Sequence, residues 1–220
     1  MSSLAHLFRD FRRTASDLPG LFSGNFCVMF LPLAPLLGEK TCLPGFYADQ
    51  TYCCTLRESH TDSLAPYRGK KHLKAGRCVI LELEDLGSFV FTNHRHSALF
   101  QNLQRKFPGV TSYVFSSDGS GGYFKILKDG RIQRKIASYM FFEGMGSYAE
   151  TRGAPCTYEL ETGHIFKVDP KARHLREMMP DFTKREVLDL FDYYVGLDRF
   201  KSANLRRVLV YDLESAAAKK

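Results

Sequence analysis

Basic side chains gather in the middle third of the chain, and their types and spacing point to the binding of acidic groups. The candidate binding residues are Arg68, Lys70, Lys71, Lys74, Arg77, Arg131, Arg134 and Lys135. The first five fall within ten residues that contain no acidic side chain. Ammonium and guanidinium groups in such a cluster can bind the carboxylates or phosphates of a partner.

The distribution of charge along the chain supports this interpretation. Residues 1–67 hold 5 Lys and Arg against 6 Asp and Glu, residues 68–140 hold 13 against 5, and residues 141–220 hold 13 against 13. The net charge of +7 therefore arises in the middle segment. A local excess creates a directional field, which favours an acidic or phosphate-bearing partner. A solvated basic face with no partner is the open alternative.

Residues typical of metal binding or catalysis do not form a recognisable site. His94 and His96 could place two imidazoles on one side of an extended segment, but Arg95 between them would repel a cation. Residues 116–122 form a glycine-rich loop that joins two predicted strands and precedes no helix, which favours a hairpin tip over a nucleotide cradle. The sequence predicts no catalytic residue, no metal and no cofactor.

Two pairs of carboxylates could in principle act as general acids and bases. Asp189 and Asp192 are three residues apart, Glu159 and Glu161 two residues apart, and each pair is expected to share one face of its element. No cleft is evident beside either pair, so both are interpreted as solvated edges.

Cysteine usage and hydropathy indicate the compartment. The six cysteines show no CxxC pair and no regular framework, so we expect buried thiols in a reducing environment. The apolar segment 21–37 is interrupted by Gly24, Pro32 and Pro35, and it is short for a membrane span. We therefore expect a cytoplasmic protein that does not associate with membranes.

Hydrophobic periodicity predicts the elements that position the basic residues. The middle third is expected to contain a strand at 77–84, a strand at 88–92, a helix at 97–107, and strands at 111–116, 122–127 and 131–137. Asp129-Gly130 is a strong signal for a tight hairpin between the last two of these strands. Outside this region we predict a helix at 3–16, a strand at 24–31, a loop at 32–49, a helix at 183–195 and a final strand at 204–213.

These elements predict an α+β fold with a mostly antiparallel sheet, a central meander at 111–137, and helices packed on one face. The chain is expected to form a single domain over residues 1–220. An N-terminal subdomain at 1–67 and a basic linker at 58–76 are left open.

Residues 110–161 resemble a group of small bacterial proteins. The resemblance rests on Tyr113-Val114-Phe115, on residues 122–130 and 132–136, on Gly153-Ala154-Pro155, and on residues 158–161. The group consists of proteins of unknown function, some of them described as immunity proteins that neutralise toxins of interbacterial competition. The resemblance implies a non-catalytic cytosolic protein that binds and blocks one toxin.

The sequence supports three hypotheses for the function. The leading hypothesis is a non-catalytic protein-binding module of the immunity type, whose basic region 68–140 engages an acidic surface of a protein partner. The alternative is a protein that uses the same region to bind nucleic acid or a phosphate ligand. The third is an enzyme of unrecognised type. The sequence leaves the oligomeric state open.

Overall fold

The computed structural model describes nine stretches of the chain. They are residues 26–33, 40–44, 51–60, 77–93, 98–118, 121–140, 147–167, 184–200 and 203–215. The predicted helix at 3–16 lies outside them.

Ten strands of the described residues form one antiparallel sheet. The strands are β1 (Phe26–Leu31), β2 (Lys40–Pro44), β3 (Thr51–His60), β4 (Arg77–Leu83), β5 (Gly87–Asn93), β6 (Thr111–Asp118), β7 (Gly121–Lys128), β8 (Arg131–Met140), β9 (Ser147–Arg152) and β10 (Leu205–Ser215). Their order in the sheet is β2-β3-β10-β4-β5-β1-β6-β7-β8-β9. The α+β fold with a mostly antiparallel sheet is therefore confirmed, and β6, β7 and β8 form the predicted meander.

Short helices complete the described part of the chain. They are α1 (Ala98–Gln104), α2 (Thr157–Thr162), α3 (Lys184–Val195) and a 3₁₀ helix (Leu197–Phe200). Helix α1 ends three residues before its predicted limit, because the backbone before Pro108 is disfavoured in helical conformation and turns instead. None of these helices has the length and apolar character needed to cross a bilayer.

The N-terminal strands are integrated into the same sheet as the rest. Strand β1 lies between β5 and β6, and β3 pairs with β10. Strand β2 corrects the prediction of a loop over 32–49. It has no apolar alternation of its own, and its pairing with β3 holds it in extended form. Residues 58–60 of the predicted linker belong to β3, and 61–76 lie outside the described residues.

Both faces of the sheet are apolar and covered. In β1, Val28 and Phe30 belong to the core cluster that includes α3, which defines the α3 face. Cys27, Met29 and Leu31 belong to the cluster that includes α1, which defines the α1 face. The prediction that the helices pack on one face is wrong. The central strands carry apolar side chains on both faces, so each face is buried by packing against a helix.

The sheet curves around α1. This helix contacts both β7 and β2, which are seven strand positions apart in the sheet. Seven steps in a flat sheet would span about 34 Å, whereas a helix of this length spans about 10 Å. The α1 face is therefore concave, and the α3 face is its outer side.

Candidate functional site

The predicted basic residues do not form one surface in the described part of the chain. Arg68, Lys70, Lys71 and Lys74 lie outside the described residues. Arg77 begins β4, and its side chain also lies outside the described set. Arg131, Arg134 and Lys135 all belong to β8 but occupy three different environments.

Arg134 is a buried structural residue, which corrects its assignment to a binding surface. Its side chain is 5% exposed and forms a bidentate salt bridge with Glu159, which is fully buried. The guanidinium also donates to the backbone oxygens of Gly153 and Phe166. Four of the five guanidinium N–H groups therefore serve internal contacts. A side chain this buried does not belong to an exposed binding surface.

The Glu159 carboxylate accepts four hydrogen bonds. Besides two donors of Arg134, it accepts the amides of Cys156 at 2.8 Å and Phe166 at 3.0 Å. Burial acts to raise the pKa of Glu159, but the hydrogen bonds from Arg134 and Cys156 outweigh it and hold the pKa below its usual range. The carboxylate therefore stays ionised and holds α2 against β8.

Lys135 lies on the concave α1 face rather than beside Arg134. Successive strand residues point to opposite faces, so these two neighbours cannot share a surface. The Lys135 ammonium forms a salt bridge with Glu150 of β9, and both side chains are partly buried. Its assignment to the same patch as Arg131 is therefore also corrected.

Arg131 is exposed, and three further cations surround it. We use the term basic tip for Arg105, Lys106, Lys128 and Arg131, all of them exposed. Lys128 and Arg131 flank the β7–β8 turn as direct cross-strand partners, and Arg105 and Lys106 follow the end of α1.

Gln104 and Asp129 hold these two segments together. The buried Gln104 side chain accepts the amide of Gly130 in the turn and donates to the Val110 carbonyl oxygen. In return, Asp129 accepts the amide of Gly109 at 2.7 Å. These hydrogen bonds join the loop after α1 to the hairpin turn, so the two backbone segments that carry the four cations lie next to each other.

The turn itself requires a glycine. Asp129 has φ 52° and Gly130 has φ 68°, the left-handed conformations of a tight hairpin turn. A Cβ atom on Gly130 would lie 2.0 Å from Cγ of Arg105. The Arg105 side chain therefore packs directly over the turn, which joins the two halves of the basic tip.

The basic tip carries a net positive charge. Asp129 is the one carboxylate among residues 105–110 and 128–131, against four cations. Within the described residues, none of the four cations forms a salt bridge. Arg105 donates from Nη1 to Oδ1 of Asn102 at 3.1 Å, a neutral acceptor that leaves the charge of Arg105 uncompensated. The four positive charges can therefore attract an external acidic group.

Sequence reasoning missed three members of the basic tip. Arg105, Lys106 and Lys128 contribute to the charge of 68–140 but stand apart in sequence. The signals that could have found them are the Asp129-Gly130 turn and the Pro108-Gly109 stop after α1, since each brings a flanking cation to the same end of the sheet.

The other candidates from the sequence have structural roles in the described part of the chain. Glu159 and Glu161 do not share a face, because 157–162 is a helix rather than a strand and two residues in a helix point about 200° apart. Glu161 accepts the Tyr193 hydroxyl, and Asp192 accepts the Leu197 amide at 2.8 Å. His94 and His96 lie outside the described residues, and no cluster of metal-ligating side chains occurs within them.

No family model, curated protein or solved structure matches this chain.

Proposed function

We propose that the protein is a non-catalytic binding module whose basic tip engages an acidic surface of a protein partner. The observation that carries this proposal is the presence of four exposed cations on two hydrogen-bonded segments, none of which forms a salt bridge among the described residues. Because Gln104 and Asp129 fix the supporting backbone, binding would cost little ordering of main chain.

A toxin-neutralising role of the immunity type is the specific form of this proposal. The resemblance of residues 110–161 supports it, and the β7–β8 hairpin that carries Lys128 and Arg131 lies inside that segment. In this form the partner is a toxin with an acidic surface, and the complex gains its association rate from charge complementarity.

The basic tip fits a protein better than a nucleic acid. Single-stranded nucleic acid is bound by cations combined with exposed aromatic platforms. Phe107, the aromatic residue nearest the basic tip in sequence, is partly buried against the α1 face. Tyr193, which is 45% exposed, lies on α3 and donates its hydroxyl hydrogen bond to Glu161. In the part of the chain that the structure describes, the segments of the basic tip carry no exposed aromatic side chain, which favours a carboxylate-rich protein surface as the partner.

Charge reversal tests the proposal. The variant Lys106→Glu, Lys128→Glu and Arg131→Glu is compared with a control of equal charge change, Lys167→Glu, Lys219→Glu and Lys220→Glu. Each protein is used to capture partners from a nuclease-treated lysate of its host, and captured proteins are quantified by mass spectrometry. We expect one acidic protein to be retained by the native chain and the control and lost by the variant.

Two results would contradict the proposal. One is retention of the same partner by the variant at native levels. The other is that native capture disappears after nuclease treatment and reappears with added DNA or RNA, which would favour the nucleic-acid alternative.

A further inference from the structure

Three cations stand in one row on the concave α1 face. Lys125 of β7 is the direct cross-strand partner of Lys135 of β8, and Lys135 is the partner of Arg152 of β9. Direct partners in an antiparallel pair have Cα atoms about 4.5–5.5 Å apart. Like charges placed directly opposite destabilise a sheet. This cationic row therefore opposes folding, and its presence calls for a compensating interaction.

The side-chain contacts show how the inner end of the row is built. Lys125 is partly buried, and its Nζ lies 4.2 Å from the ring centroid of Tyr123. The Tyr123 hydroxyl lies 3.3 Å from Sγ of Cys27. The Cys27 thiol in turn donates to the Ser116 hydroxyl at 2.8 Å. Burial, and next the charge of Lys135, lower the pKa of Lys125 to about 8.

The charges of the row are only partly balanced within the described residues. Glu150 forms a salt bridge with Lys135, whereas Lys125 and Arg152 form none there. Three cations against one carboxylate leave two positive charges when Lys125 is protonated. At neutral pH a phosphate monoester carries close to two negative charges, and it offers three acceptor oxygens.

One end of the cationic row is exposed to solvent. Strand β9 is the last strand in the sheet order, and Arg152 at its end is exposed. Lys125 is at the inner end, three residues before Lys128 of the basic tip, which is about 10 Å along the strand. The row is therefore separate from the basic tip and faces the inside of the curved sheet.

We propose that Lys125, Lys135 and Arg152 bind the phosphate group of a small phosphate-bearing molecule on the α1 face. The Arg152 guanidinium supplies a planar pair of donors at the outer end, and the two lysines supply point charges further in. The bound dianion neutralises the like-charged row and stabilises the charged form of Lys125. This site is independent of the partner surface proposed above.

Calorimetric titration of the purified full-length chain tests this site. The probes are glycerol 3-phosphate, inorganic phosphate and acetate at constant ionic strength. The variants are Lys125→Gln at the inner end and Arg152→Gln at the exposed end, with Lys128→Gln on the same strand as the matched control. We expect both phosphate probes to bind the native chain and the control with submillimolar affinity, at least tenfold more tightly than acetate.

Each variant has a defined outcome. Lys125→Gln and Arg152→Gln should each weaken phosphate binding about tenfold or more, and because Arg152 is exposed, its loss of binding cannot be attributed to unfolding. Tighter binding of glycerol 3-phosphate than of inorganic phosphate indicates an organic phosphate as the ligand. Equal affinity for the two probes indicates free phosphate. Either result supports the site. NMR titration of the lysine side chains should show the pKa of Lys125 rising when phosphate is bound.

Three results would overturn the inference. The first is no saturable binding of either phosphate probe to the native chain in the millimolar range. The second is a loss of binding in Lys128→Gln as large as in Lys125→Gln, which would assign the anion to the basic tip. The third is unchanged binding in both Lys125→Gln and Arg152→Gln.

Discussion

At the scale of single residues, the Arg134–Glu159 pair connects β8 to the segment that follows β9. The guanidinium and carboxylate share two hydrogen bonds, and the remaining contacts go to the backbone of Gly153, Cys156 and Phe166. Removing one partner of a buried pair leaves the other charge uncompensated, which costs more than the pair itself contributes.

Loss of Arg134 is expected to destabilise the fold strongly. Arg134→Met should lower the free energy of unfolding by about 3–5 kcal/mol. Arg131→Met, an exposed change on the same strand, should alter it by less than about 0.5 kcal/mol. Urea denaturation followed by circular dichroism measures both. Similar values for the two variants would show that Arg134 has no special structural role.

The same pair predicts the response to acid. The pKa of Glu159 is lowered in the folded chain, so its contribution to stability is complete above the ordinary carboxyl value of 4.5. This contribution is lost as the pH falls through the lower folded value. Glu159→Gln should be less stable at neutral pH and should lose less further stability below pH 4.5 than the native chain. Parallel acid unfolding profiles of the two proteins would argue against this account.

Lys125 predicts the opposite behaviour at alkaline pH. Its folded pKa of about 8 is below the ordinary 10.5, so the unfolded chain binds more protons between these values and stability rises with pH there. Among the described residues, the titratable or charged groups near it are Lys135, Glu150, Cys27, Tyr123 and Arg152. Lys125→Met should be up to about 1 kcal/mol more stable at neutral pH and should lack this rise. A rise between pH 8 and 10.5 that persists in Lys125→Met would assign it to another group.

At the scale of elements, glycines allow the close contacts that support the sites. Gly153 approaches the Gln133 carbonyl oxygen so closely that a Cβ atom would lie 1.9 Å from it. Gly130 packs under the flexible Arg105 side chain, and Gly109 has no atom within 4 Å of a built Cβ. All three have positive φ.

The loss of stability on alanine substitution should therefore increase from Gly109 to Gly130 to Gly153. Gly109→Ala carries only the backbone cost, about 1–2 kcal/mol. Gly130→Ala adds displacement of Arg105, and Gly153→Ala adds a clash with backbone that cannot rotate away, about 1–3 kcal/mol more. Thermal unfolding of the three variants measures the order. If Gly153→Ala lowered the stability no more than Gly109→Ala, the described packing of Gly153 would be contradicted.

Local patterns predicted the elements whose signal lies within a short segment. The meander, the Asp129-Gly130 turn and the helix at 183–195 are confirmed, because alternation, turn residues and apolar spacing are local properties. Strand β2 depends on its partner β3, and the pairing of Arg134 with Glu159 joins residues far apart in sequence, so neither follows from a local pattern. The separation of Arg134 from Lys135 does follow from strand alternation and could have been predicted.

At the scale of the whole molecule, the order of strands decides which charges meet. Strand β1 separates β5 from β6, and β10 separates β3 from β4, so residues from both ends of the chain complete one curved sheet. Such long-range pairings have no local sequence signature. The resulting sheet directs some cations of the basic middle third to the exposed hairpin end and others to the concave face.

The dependence of partner binding on salt tests the central claim most directly. The dissociation constant of the captured partner is measured for the native chain and for Lys106→Glu, Lys128→Glu, Arg131→Glu at increasing sodium chloride concentration. We predict that native binding weakens steeply with salt, while the variant binds at least about tenfold more weakly and responds much less to salt, since exposed charges are screened. Equal affinities with equal salt dependence would show that the basic tip is not the binding surface.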